Sequence, residues 1–200
     1  AIMRGDARRA FVPIAGLHHA ARDRAAGFCV FNDCGVAAEH LRANYGLTRI
    51  AYVDIDAHHG NGTQAIFYDD PSVFYFGVHQ YPFYPGTGGA RERGGGEGLG
   101  TTLNVPLDAG CGNDEFNRAV EAKLVPAMKK YKPDFVLISA GFDAHEEDPL
   151  SGAVLSTGMF GEMTEMLVDS AGSLATEVGV PEAIVGLTLV AVGTSLPELA

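Results

Sequence analysis

The 200-residue sequence has only three cysteines, Cys29, Cys34 and Cys111. Three thiols cannot form an even disulfide framework, and none has the Cys-x-x-Cys spacing of a zinc knuckle. They read as small buried hydrophobes of a reducing, cytoplasmic compartment. Basic residues are also scarce, with 14 Lys and Arg against 25 Asp and Glu and a net charge of −11. Such a surface repels nucleic acid and anionic lipid, so a nucleic-acid partner is not expected, while cations such as polyamines or lysine-rich tails are mildly attracted. The opening AIMRGDARRA lacks the apolar stretch of a signal peptide. The one extended apolar run, Ala183–Val192, is interrupted by Thr188. It is about half the roughly twenty residues of a membrane-spanning helix, so no membrane association is expected. Nothing in the composition sets an oligomeric state. What is there is 46% hydrophobic, with 26 Gly and 10 Pro. That describes a turn-rich globular chain, long enough to bury a core in one domain.

Short apolar runs alternate with helical patterns. Ala10–Ala15, Ile50–Val53, Val73–Val78 and Phe135–Ala140 are compact, rich in β-branched and aromatic residues and bounded by turn formers, as buried strands are. Asp33–Tyr45 reads as a helix closed by Gly46. Asp114–Tyr131 reads as a second, with Asn113 as N-cap, acids in the first turn, lysines in the last and Pro133 beyond. Met159–Ser170 is a third. Alternation of this kind predicts an α/β fold: three layers, α/β/α, around a mainly parallel sheet. Chemistry in such sheets collects just after the strand C-termini. His18 and His19 follow the first predicted strand, Asp54 to Asn61 the second, and Asp143 the fourth.

The segment Asp54-Ile55-Asp56-Ala57-His58-His59-Gly60-Asn61-Gly62 leaves a strand, where residues two apart share a side. Asp54, Asp56 and His58 can therefore face one cavity. Carboxylate oxygen and imidazole nitrogen suit zinc, which in a catalytic site takes three protein ligands and keeps one position open. A solvated polar loop is the plainer alternative, but it sits poorly directly after Ala51-Tyr52-Val53. His18-His19 alone suits a surface; beside a metal the pair suits a proton acceptor and a proton donor. Such histidines need partners that fix tautomer and basicity, and Asp54 and Asn61 are the candidates. Asp143, in Ser139-Ala140-Gly141-Phe142-Asp143, is either a turn former or the second carboxylate of a two-Asp, one-His set. The Gly-rich stretch Gly86–Gly100 lacks the Gly-Lys-Ser/Thr ending of a phosphate loop. It reads as a mobile loop at the mouth of the site.

Taken together, these segments resemble the superfamily of histone deacetylases, acetoin-utilisation proteins and acetylpolyamine amidohydrolases. The resemblance rests on the Asp54–Gln64 motif, His18-His19-Ala20, Ala26-Gly27-Phe28-Cys29-Val30-Phe31-Asn32-Asp33, Tyr84-Pro85-Gly86-Thr87-Gly88 and Ala140-Gly141-Phe142-Asp143, in the family's order over about residues 8–171. It implies an arginase/deacetylase-like fold and zinc ligands Asp56, His58 and Asp143. It further implies His19 as general base and His18 as electrostatic or proton-donating partner, supported by Asn61 and Asp54 respectively. Gly27, Phe28 and Tyr84 would bind substrate in an acyl-lysine tunnel, and potassium would sit near Asp54, Asp56 and His58. The implied activity is deacetylation of acetylated lysine or polyamine.

Three departures qualify the resemblance. The family's usual Arg-Pro-Pro-Gly before the histidines is Ile14-Ala15-Gly16-Leu17 here, as in a bacterial-type branch. The domain reads as truncated at both ends, and no tyrosine follows Tyr131 to supply the family's oxyanion donor, so turnover is expected to be impaired. Residues 172–200 are expected to be an apolar tail foreign to the domain in 1–171, with an amphipathic or buried helix as the plainer reading of its apolar run; Gly186–Leu199 is similar to the repeat motif of cation/calcium exchangers, with Glu198 at the cation-binding glutamate. Two alternatives therefore stand beside an active deacetylase: a metal-binding but inactive fragment, and a fragment of a membrane cation exchanger.

Overall fold

The computed structural model describes residues 1–178 and 186–192, with side chains described through residue 169. Its elements run β1 (Arg9–Val12), α1 (Asp33–Tyr45), β2 (Ile50–Asp54), α2 (Asn61–Phe67), β3 (Val73–Gln80), β4 (Thr102–Leu107), α3 (Asn113–Ala119), α4 (Val125–Tyr131), β5 (Phe135–Gly141), α5 (Thr157–Val178) and β6 (Gly186–Val192). The strands form one six-stranded sheet in the order β1-β6-β5-β2-β3-β4, and every pairing is parallel. The fold is the expected three-layer α/β/α arrangement.

The layers follow from strand periodicity. β2, β3 and β5 are buried along their whole length, because helices cover both faces of a parallel sheet. Ile50 and Tyr52, with Val73, Tyr75, Phe135 and Leu137, point to the side where α1 lays Cys34, Ala38 and Leu41. The alternate residues Ala51 and Val53, with Phe74, Phe76, Val136 and Ile138, meet α3, α4 and α5 through Phe116, Met128, Met159 and Met163. Each large side chain removed from water here contributes on the order of 1.5–3 kcal/mol.

Helix ends match their sequence signals, with one change. Asn32 caps α1 by accepting the Gly35 N–H at 2.7 Å, and Gly46 closes it with φ 67°. At α3 the expected cap Asn113 is the first helical residue, and Gly112 precedes it; the Glu115 carboxylate accepts the Gly112 N–H at 3.0 Å. Asn113 instead pairs with Ser156, donating to its Oγ at 2.9 Å and accepting its N–H at 3.0 Å. The expected helix through Tyr131 is interrupted by a π-turn at Val120–Leu124. Pro126 follows at once and has no N–H to offer the carbonyl of Ala122, so the ladder widens there.

Two elements carry no clear sequence signal. β4 contains Asn104 and Pro106, which argue against a central strand, but β4 is the sheet edge, where a missing donor is tolerated. α2 spans seven residues and begins in the polar segment after Gly60. The boundary expected between residues 171 and 172 falls inside α5, and the tail contributes strand β6, not a helix, between β1 and β5. Glu198 of the exchanger-like motif lies outside the described residues. Among the described residues, no helix is long and apolar enough to cross a membrane.

Candidate active site

Three segments meet at the C-terminal rim of the sheet: the loop after β1, the turn after β2 and the loop after β5. Asp56, His58 and Asp143 come together there, with one potential ligand atom from each lying within 4.8 Å of the others. His58 Nδ1 stands 2.6 Å from Asp143 Oδ2 and 3.3 Å from Asp56 Oδ1. The backbone fixes both carboxylates: Ala57 N–H donates to Asp143 Oδ1 at 3.0 Å and His58 N–H to Asp56 Oδ1 at 2.7 Å. Gly141 makes the approach possible, since a Cβ there would collide with Asp56 Oδ2 and stand 2.9 Å from Asp143 Oδ1.

Two carboxylates this close, 1% and 0% exposed, call for a cation. Burial, followed by the charge of Asp56, pushes the Asp143 carboxyl above its usual range. For His58, burial is the largest influence and opposes protonation; hydrogen bonds and charge from Asp143 and Asp56 outweigh it and raise the imidazole to about 10. Asp56 Oδ2 is buried with no hydrogen-bond partner. An orphaned carboxylate oxygen among two further N/O donors is what a divalent cation would satisfy, so these residues fit a metal.

The histidine pair lies beside this cluster. His18 donates from Nδ1 to Asp54 Oδ2 at 2.7 Å, and Tyr52 OH donates to the same oxygen at 3.1 Å. Asp54 thus faces His18 and stands outside the ligand cluster. His19 Nδ1 pairs with Asn61 Oδ1 at 2.8 Å. That oxygen only accepts, so Nδ1 carries the proton and His19 Nε2 is bare. His18 Nε2 lies 3.1 Å from it and donates. Burial is the largest influence on both rings. At His18 it is overcome by Asp54, Asp56 and Asp143, which raise the pKa to about 9; at His19 it is reinforced by the charge on His18, and the pKa falls to about 3. One imidazolium and one neutral imidazole therefore stand side by side.

A cavity of about 320 Å³ opens over these groups, lined by His19, Gly27, Phe28, Asp56, His58, Tyr84 and Leu150. Tyr84 meets His19 edge-on with ring centroids 5.2 Å apart. A Cβ at Gly27 would stand 2.8 Å from His19 Cγ and 2.9 Å from Tyr84 OH, so glycine lets the wall close on the histidine. Phe28, 72% exposed at the mouth, has φ 51°, a left-handed conformation that is unfavourable for a bulky residue.

Every site residue expected from the sequence lies in this constellation. Several neighbours had no assigned role. Leu150 lines the cavity from the loop after Asp143. Asp33, the first residue of α1, accepts the N–H groups of Gly16 and Leu17 at 2.9 and 2.8 Å, anchoring the chain just before His18. His59, next to His58, turns away from the cavity to Thr87 and Gln64. An acid at the first helical position and a polar side chain four residues into α2 were the signals available for Asp33 and Gln64; Leu150 had none.

Comparison with known proteins agrees with this geometry. The Histone deacetylase domain family matches residues 1–180, and the chain belongs to that family. It is 46% identical over 143 residues to Histone deacetylase 10, chloroplastic, of Oryza sativa, covering 72% of this chain and 32% of that protein. It is 41% identical over 155 residues to the Histone deacetylase-like amidohydrolase of Pseudomonas aeruginosa, covering 77% and 41%. The crystal structure of the HDA15 HD domain superposes with a TM-score of 0.83 at 36% identity, covering 96% of this chain and 54% of that one. The chain thus spans about a third to a half of the length of these relatives.

Proposed function

We propose that this chain carries the centre of a zinc-dependent amidohydrolase that removes acetyl groups from acetylated lysine or polyamine amines. The observation that carries the reading is the convergence of Asp56, His58 and Asp143 beside the His18–His19 pair, under one aromatic-walled cavity. Asp56, His58 and Asp143 would hold the metal, which when bound supplies Lewis-acid polarisation of the amide carbonyl and of water. The unprotonated Nε2 of His19 is the atom that accepts a proton from the attacking water, and Asn61 keeps the opposite nitrogen protonated. His18, charged and held by Asp54, does not line the cavity and acts on His19 electrostatically; the proton that His19 takes up is returned to the departing amine as the amide C–N bond breaks, leaving acetate and a free amine. Phe28 and Tyr84 flank an apolar slot suited to a methylene stem, with Gly27 opening space between them.

The net charge of −11 favours cationic substrates, consistent with lysine-rich chains or polyamines. We also propose potassium close to Asp54, where Tyr75 OH and Ser139 Oγ are buried without partners, and a reducing, cytoplasmic-type setting, in keeping with three buried free thiols. The test is zinc stoichiometry by elemental analysis alongside turnover of an acetyl-lysine reporter peptide. Wild type should retain one zinc per chain, and Asp143→Ala should lose most of it. Full zinc occupancy in that variant would sink the ligand assignment. A zinc-loaded wild type that leaves the reporter intact would sink the assigned reaction.

A further inference from the structure

Behind the metal cluster lies a second set of buried polar groups that the proposed chemistry does not use. It fixes the long connection between β3 and β4, the loop that carries Tyr84. Unlike many parallel crossovers, this connection contains no α-helix to brace it. Its order depends on side chains.

Glu92 sets the hydrogen-bond directions of this group. Its carboxylate only accepts: Oε1 takes the N–H groups of Gly88 and Gly89 at 2.8 and 2.9 Å, and Oε2 takes the Gln64 amide at 2.6 Å. Gln64 therefore turns its oxygen inward, where Asn104 donates to it at 2.7 Å. His59 Nε2, 2.9 Å from the same oxygen, must also donate. Its Nδ1 is then bare and accepts from Thr87 Oγ1 at 2.8 Å. The chain of donors closes from the loop at Thr87, through His59 and Gln64, back to the loop at Glu92. On its other side Gly88 offers its carbonyl to His79 Nε2 at 2.9 Å. Gly88 has φ 92°, and a Cβ there would collide with His79 and stand 2.6 Å from His59 Cγ. The loop is pinned by both polar groups of one glycine, four residues after Tyr84.

We propose that Glu92 is a positioning residue: through Gly88, Gly89 and Gln64 it locks the glycine-rich loop onto His59 and thereby sets where Tyr84 stands at the cavity mouth. Its importance to substrate rests on the reading of that cavity as the acyl-binding site; the clamp itself does not. Glu92 is part-buried between exposed Arg91 and Arg93, so Glu92→Gln is a mild change for the fold. It keeps the shape but replaces one acceptor oxygen with an amide that has nothing to donate to.

The experiment uses the full zinc-loaded chain with 3-fluorotyrosine at its 7 tyrosines, Tyr84→Phe identifying the Tyr84 resonance. In Glu92→Gln, amide exchange at Gly88 and Gly89 should quicken on the order of tenfold to a hundredfold, as expected for losing bonds to a charged acceptor. The Tyr84 fluorine line should move toward its position in the unfolded chain, while the Tyr52 and Tyr75 lines stay fixed and zinc is retained. A fluorescent acetyl-lysine peptide should bind the variant about tenfold more weakly, the upper part of the range for one hydrogen bond. Thr87→Val, which breaks the far end of the clamp at an exposed residue, should give the same changes at smaller amplitude and serves if Glu92→Gln does not fold. An unmoved Tyr84 line in a folded variant overturns the proposal, whether or not the glycine amides exchange faster. If wild type fails to bind the peptide, the deacetylase reading fails instead, and the Tyr84 line still decides the clamp.

Discussion

His58 and His59 are neighbours in sequence and belong to two different environments. His58 faces two buried carboxylates, which raise it to about 10 despite its burial. His59 faces a hydroxyl and an amide; burial, then the nearby His79, lowers it to about 4. A backbone turn at the end of β2 sends one ring to the cavity and the other to the loop support. The side-chain type sets neither role: a ring surrounded by acceptor charge is a cation or a metal ligand, and a ring between one donor and one acceptor is a neutral bridge.

The comparison is broken most completely by truncation. His58→Ala should abolish zinc retention, and His59→Asn should leave one zinc per chain while destabilising the fold by about 1–3 kcal/mol through unpaired buried groups. Elemental analysis and urea denaturation check the pair; zinc loss in both variants would mean the two regions act as one. Next come two glycines. Gly141→Ala drives a Cβ into Asp56 and should weaken zinc binding roughly 10–100-fold, the scale on which misoriented ligands cost affinity. Gly88→Ala strikes His79 and His59 instead and should leave zinc affinity unchanged in a chelator competition.

The smallest effects, counted per pH unit, are in pH dependence, where the two rings have opposite signs. His59 has its folded pKa below the unfolded 6.5, so its contribution is complete above 6.5 and is lost as pH falls toward about 4. The loss is at most about 3 kcal/mol, and His59→Asn should remove that acid-side slope from urea midpoints. In the metal-free chain His58 has its folded pKa above 6.5, so its contribution is complete below 6.5 and is lost as pH rises through about 10. Zinc must displace that proton, so zinc affinity should rise by about tenfold per pH unit below 10, with proton release seen as buffer-dependent heat in calorimetry.

Much of this was legible in the residues. Runs such as Ile50–Val53 and Phe135–Ala140 are too short for helices and suit a sheet covered on both faces, and that places the acids and histidines following them on one rim. Asp56 and His58 stood out because acids and histidines crowded after a buried strand have few other uses, whereas Asp143 read equally as a turn former and joined them only through the family resemblance. Asp54 was ambiguous by spacing, since it shares a side with Asp56 and His58; the resemblance assigned it to His18, and in the structure it does face His18. Glu92 was hidden for a different reason. It sits among exposed arginines and glycines, and its role depends on the φ of Gly88 and on the rotamer of Gln64, neither of which has a sequence period. β4 was hidden because being at the edge is a property of the whole sheet.

One consequence follows from the start of α1. Asp33 grips the two amides before His18, and the Asn32 amide reaches past the pair to the Ala20 carbonyl at 2.9 Å and to Thr63 Oγ1 at 3.0 Å. Both flanks of the histidine pair are thus tethered to adjacent residues on one helix. Asp54 and Asn61 hold the rings themselves, so fraying of that first turn would loosen the backbone on both flanks of the pair before it disturbed the 3.1 Å spacing between the rings. Damage to the helix start would therefore appear as a loosened histidine pair beside an intact Asp56, His58 and Asp143 cluster.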